Sequence, residues 1–219
     1  MTTTDALMRC AIEQSIASFA FRDEGQWDAL RDLFHPQATI AVSWYRGRIE
    51  GFIEASRSMP GSPRVSTKHW LGAPRIQVRG KRALSEVDVA IMMRSNVGSL
   101  EIDVTSHARF LDRFVLCEDS RWRIVERTGI YEKDRMDPVQ PSLFFWLVYR
   151  FARFARFPAE YRHLAFALKR QGLQLADRVV VAYSRDEEAL KAAAATWLAG
   201  AGSDISSEHA TNQIFENRN

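Results

Sequence analysis

Residues 83–131 contain three runs rich in β-forming residues: ALSEVDVAIMMRS (Ala83–Ser95), LEIDVTSHARFLDRFVL (Leu100–Leu116) and WRIVERTGIY (Trp122–Tyr131). Only NVGS (Asn96–Ser99) and CEDSR (Cys117–Arg121) separate them. Long apolar-polar runs joined by short polar turns predict antiparallel strands in a meander. Upstream, Arg79-Gly80-Lys81-Arg82 makes another turn. The run Val65–Val78 is strand-like, with Gly72-Ala73-Pro74 as a bulge or bend inside it.

The first 60 residues have a different texture. Thr4 can cap a helix whose apolar positions Leu7, Ile12, Ile16 and Phe19 recur at helical spacing. A short helix follows from Gln26 to Phe34 and ends at His35-Pro36. Ala38–Tyr45 reads as a strand, and Gly51–Met59 as a helix closed by Pro60-Gly61. Helices first and a meander after them predict an α+β fold, with the helices on one face of a curved sheet. The predicted domain spans residues 1–137. A helical extension follows over 138–200, and a polar tail, expected to be disordered, over 201–219. In the extension, Pro158 is placed at the first turn of a helix reaching Arg170. Ser184-x-x-Glu187 is a capping box for an alanine-rich helix.

Composition narrows the function. A net charge of +3 over 219 residues is too weak to argue for nucleic acid, and no nucleic-acid-binding motif is present. Cys10 and Cys117 form no CxxC pair, which favours a reducing compartment. The N-terminus lacks a secretory pattern and no apolar run reaches membrane-spanning length. A cytoplasmic protein is expected. The five histidines show no HxH or HxxxH spacing, so no metal site is expected, and the chemistry considered below is expected to need no cofactor.

The order of elements resembles the NTF2-like (SnoaL-like) cone over about residues 5–135. Three stretches carry the resemblance: RDEGQWDAL (Arg22–Leu30), TKHWLG (Thr67–Gly72) and DSRWRIVER (Asp119–Arg127). They are similar to segments of two enzymes of that superfamily, scytalone dehydratase and hexachlorocyclohexane dehydrochlorinase. The resemblance implies an aspartate–histidine pair inside the cone, here Asp23 and His69. It also implies a pocket arginine, here Arg127. Other positions depart from those enzymes. Arg22 and Val42-Ser43 stand where scytalone dehydratase has tyrosines, Asn96 falls near its second histidine, and Arg109 and Leu111 replace its serine and asparagine. The dyad carries over and the substrate contacts do not.

An imidazole titrating near pH 6.5 can take a proton from carbon when a carboxylate holds its other nitrogen. Asp23, His69 and Arg127 therefore suit elimination or isomerisation of a small apolar, cyclic or aromatic substrate. Strand alternation groups His107, Arg109 and Leu111 on one face, and the resemblance assigns that face to the pocket. This makes His107 a second acid/base candidate. Trp44, Tyr45, Trp70, Met92, Asn96 and Arg109 are candidate pocket residues. A non-catalytic binding or assembly subunit, with a homo-oligomer in either case, is the other reading, because fold alone does not imply activity. The segment Leu143–Phe157 is apolar, with arginines at 150, 153 and 156. It is expected to pack against protein rather than contact a membrane.

Overall fold

The computed structural model describes residues 2–59, 66–151 and 154–200. The expected turn at Pro60-Gly61 and the tail 201–219 lie outside them. Helix α1 (Thr3–Ala17) opens at Thr2, not Thr4, because the Thr2 Oγ accepts the Asp5 N–H at 3.1 Å. A 3-10 turn over Ser18–Arg22 follows and presents the buried Phe19. Helix α2 (Trp27–Asp32) stops short of Phe34, and β1 (Phe34–Val42) begins there. Pro36 sits in that strand where its register against β7 (Trp122–Pro138) shifts between Phe34 and Thr39. A missing N–H is tolerated at such an irregularity. The expected strand to Tyr45 is instead a hairpin, with Val42 opposite Tyr45 at the start of β2 (Tyr45–Arg48). Helix α3 (Ile49–Arg57) buries Ile49, Phe52 and Ile53.

The single run expected over Val65–Val78 is two strands, β3 (Ser66–Leu71) and β4 (Arg75–Arg79). Both lie along β5 (Arg82–Val97), which pairs with β6 (Leu100–Leu116), which pairs with β7. The sheet runs β2-β1-β7-β6-β5-β3, with β1 and β7 parallel and the meander antiparallel. Its curvature has a local cause in β7. Opposite Arg113-Phe114 and His107-Ala108, β7 carries the extra residues Val125 and Glu132. Each bulge bends the strand and shifts its alternation by one. Ile124, Tyr131 and Met136 are separated by odd spacings, yet all three join the main core.

The extension covers both faces of the sheet. Helix α5 (Arg162–Arg170) joins the inner core through Leu164, Ala165 and Leu168. Helix α6 (Arg185–Leu198) packs Leu190, Ala194 and Trp197 on Leu84, Leu111 and Ile130 of the outer face. Burying such side chains is worth roughly 1.5–3 kcal/mol each. A two-residue strand, β8 (Val180–Val181), pairs with β7 at Ile130-Tyr131. The Ser184 cap works as expected, accepting the Glu187 N–H at 3.2 Å, while Glu187 accepts the Tyr183 N–H at 2.7 Å. Helix α5 does not start near Pro158. Its first N–H groups are taken by Asp134 of β7, which accepts from His163 and Leu164 at 2.7 and 2.8 Å. A tertiary carboxylate, not a local cap, sets that helix start. Helix α4 (Leu143–Phe151) turns Phe145 into the core and leaves its other side in solvent.

Candidate active site

The 3-10 turn after α1 ends beside β3, and this places Asp23 under His69. One Asp23 oxygen accepts the His69 backbone N–H at 2.6 Å. The His69 Nδ1 lies 2.8 and 3.1 Å from the two carboxylate oxygens. A carboxylate accepts only, so Nδ1 carries the proton and Nε2 keeps its lone pair. Arg22 donates to Asp23 at 3.1 Å and reaches the Met59 sulfur at 3.6 Å. Burial opposes ionisation of Asp23, but hydrogen bonds and charge from His69, with Arg22, hold its carboxyl below the usual range. Burial also pushes His69 below 6.5, helped by the Arg22 and Arg127 charges and partly countered by Asp23. The result is a neutral imidazole at neutral pH, held by an ionised carboxylate.

His69 opens on a cavity between the inner face of the sheet and α5. Phe19, Trp44, Phe52, Ile91, Met93 and Phe110 form its apolar walls. Arg22, Thr67, Tyr131 and Gln171 add polar groups. The Tyr131 hydroxyl accepts the Ser43 N–H at 2.9 Å. Burial, partly countered by Ser43, keeps that phenol protonated to higher pH than usual. A Cβ on Gly129 would stand 3.2 Å from the Tyr131 ring, so a side chain there would press the ring aside by a few tenths of an ångström. From α5, Leu164, Leu168 and Gln171 close the cavity, and Gln171 donates to the Met93 sulfur at 3.2 Å. The enclosed volume is about 50 Å³, against roughly 300–1,000 Å³ for a ligand-filled site. Room for a ligand of that size would require the Met59, Met93 and Gln171 side chains to move or α5 to shift. A larger crevice of about 840 Å³, lined by Asp28, Arg31, Glu50 and Arg123, is open to solvent and away from the dyad.

A family model described as a SnoaL-like domain matches residues 5–128, more than half of the chain. The chain belongs to the SnoaL-like family. Pea pathogenicity protein 2 of Fusarium vanettenii is 33% identical over 130 residues, covering 57% of this chain and 54% of that one. A PEP2-like protein of the same fungus is 30% identical over 150 residues, covering 67% and 63%. The match thus spans between about half and under two thirds of those relatives. The crystal structure of a candidate scytalone dehydratase from Novosphingobium aromaticivorans superposes with a TM-score of 0.52 at 16% identity, covering 65% of this chain and 94% of that one. A type 2 hexachlorocyclohexane dehydrochlorinase gives 0.51 at 17%, covering 64% and 95%. At such identities the likeness is one of fold, and it agrees with the α+β cone expected from the sequence.

The SnoaL-like domain brings together some of the expected residues and separates others. His69 and Trp44 line the cavity, and Asp23 stands behind His69, bonded to its ring and backbone. Arg127 does not line it. It is fully buried behind the wall, donates to Asp112 through two bonds of 2.7 Å, and lies 4.4 and 4.6 Å from the Phe19 and Phe110 ring centres. Its charge reaches His69; its guanidinium does not reach the cavity. His107 is exposed on the outer face. Inward residues of β6 are the even-numbered ones, such as Ala108 and Phe110, because α6 buries Leu111 on the other side. Arg109 shares that outer face, paired with Glu86, Glu132 and Glu187. Met92 points away while Ile91 and Met93 line the cavity. Trp70 is 67% exposed. Tyr45 packs on Trp44 and Phe52 outside the lining, and Asn96 lies far along β5, opposite Glu101. Tyr131 and Gln171 were not foreseen. The Gly-x-Tyr spacing on β7 was a faint signal for the tyrosine. Nothing local marks Gln171, which the fold delivers from outside the matched domain.

Proposed function

We propose that the chain is a cofactor-free lyase or isomerase of dehydratase, dehydrohalogenase or cyclase type. It acts on a small apolar or cyclic substrate. His69 Nε2 removes a proton from carbon, and Asp23 holds the tautomer and stabilises the imidazolium that forms. The Tyr131 hydroxyl and the Gln171 amide offer hydrogen bonds to an oxygen or leaving group gaining charge. The observation that carries this reading is the double grip of Asp23 on His69, on backbone and ring, at the edge of an apolar cavity. The superfamily, with a candidate scytalone dehydratase and a dehydrochlorinase among structures of the same fold, supports the reaction class. The same reading takes the protein as a cytoplasmic homo-oligomer with Cys10 and Cys117 as free thiols.

The tightness of the cavity favours a second reading, a non-catalytic small-molecule-binding or assembly subunit. One experiment separates the two. Apolar cyclic carbon acids are screened by thermal shift, and those that bind are followed by mass spectrometry in deuterated water. Catalysis predicts turnover or solvent deuterium in the substrate, reduced on the order of 10²–10⁴-fold in folded His69→Ala and Asp23→Asn. Binding with no exchange or turnover supports the second reading. Undiminished turnover in either folded variant removes the dyad from the mechanism.

A further inference from the structure

Helix α4 was expected to be covered by protein, and only one side of it is. Phe145 is buried, while the Tyr149 ring stacks on His163 and its hydroxyl lies 3.0 Å from His163 Nε2. His163 is in turn tied to Asp134 at 2.7 Å. The helix is therefore clamped with its remaining face turned outward. That face carries Leu143, Phe144, Trp146, Leu147 and Phe151, exposed by 90, 53, 62, 54 and 75%. At 100° per residue these five positions form one continuous stripe, with Arg150 inside it. Soluble proteins rarely keep such a patch without a partner. From Pro138 to Ala159 the sequence contains no Asp or Glu, while arginines stand at 150, 153 and 156.

We propose that this face of α4 docks on an anionic phospholipid surface. The helix would lie in the interfacial plane, with its Leu, Phe and Trp side chains among the upper acyl chains and Arg150 at the headgroups. No helix among the described residues is long and apolar enough to cross a membrane, so the contact is peripheral. Two observations favour lipid over a second copy of the chain. A helix of this length offers a strip roughly 13 Å by 10 Å, far below the roughly 800 Å² per partner of a stable dimer. A two-fold contact would also bring Arg150 of both copies together with no carboxylate on the patch to pair them.

The test is flotation of the full chain with vesicles of phosphatidylcholine alone and of phosphatidylcholine mixed with phosphatidylserine. Expected is flotation with the anionic vesicles only, weakened by salt, and lost in Leu147→Glu and in Phe151→Glu. Arg150→Gln should weaken it about fivefold. These side chains are exposed, and circular dichroism checks that each variant keeps its fold. Failure to float at low ionic strength would overturn the proposal. So would equal flotation of both glutamate variants. Light scattering that shows a dimer dissolved by Leu147→Glu, with no vesicle binding, would give the face to a second copy instead.

Discussion

Removing the Asp112 carboxylate should unfold this protein far more readily than its small size suggests. Asp112 on β6 and Arg127 on β7 are direct cross-strand neighbours, both wholly buried and joined by two bonds of 2.7 Å. The guanidinium packs against both the Phe19 and Phe110 rings, and its Nη1 has no hydrogen-bond partner. In Asp112→Ala the cation stays in an apolar wall with no counter-charge. Breaking one side of a buried pair costs about 3–5 kcal/mol, a large part of the 5–15 kcal/mol that holds a domain together. With a urea slope of about 2–3 kcal/mol/M, the unfolding midpoint falls by roughly 1–2 M. The double variant Asp112→Leu/Arg127→Met should recover most of this. It removes both charges and the orphaned Nη1, and a methionine can still fill the space against the two rings. Urea unfolding of the wild type, Asp112→Leu, Arg127→Met and the double variant completes a double-mutant cycle and gives the coupling directly. A loss under about 1 kcal/mol in Asp112→Ala, or a double variant no more stable than the single one, would refute the reasoning. The arginine would then have another route to water.

Two further outcomes follow from the dyad and from the attachment of α5. His69 titrates below 6.5 when folded because of burial and the neighbouring arginines; the unfolded chain therefore takes up the proton first, and the stability held by neutral His69 is present above about pH 6.5 and lost as pH falls through the folded value. Urea midpoints at neutral and mildly acid pH should thus differ less in His69→Gln than in the wild type, and an equal pH slope would contradict this. Asp134→Ala removes the acceptor for the His163 and Leu164 N–H groups and for the His163 ring. It should cost about 2–4 kcal/mol and speed hydrogen exchange in α5 more than in β6; unchanged α5 protection would show that its packing alone holds it.

What the sequence determined by itself was local. The lengths of β5 and β6 followed from alternation and from the polar turns around Asn96–Ser99 and Cys117–Arg121. The start of α6 followed from Ser184 and Glu187, which meet across one helical turn whatever surrounds them. The pairing of Asp23 with His69 was legible only through resemblance, since nothing within either segment points to the other. The tertiary structure decided which face of each strand is inside. Alternation defines two faces without naming them, and once α6 covers the convex side both faces of β6 hold apolar residues. His107 and Arg109 therefore fell outside the cavity and Phe110 within it. In β7 the bulge at Val125 turned Arg127 and Tyr131 to the same inner face, where Phe19 and Phe110 cover Arg127 and leave Tyr131 at the cavity. The start of α5 depended on Asp134, a carboxylate some thirty residues earlier. Such positions depend on contacts between distant segments, and no window of sequence contains both partners.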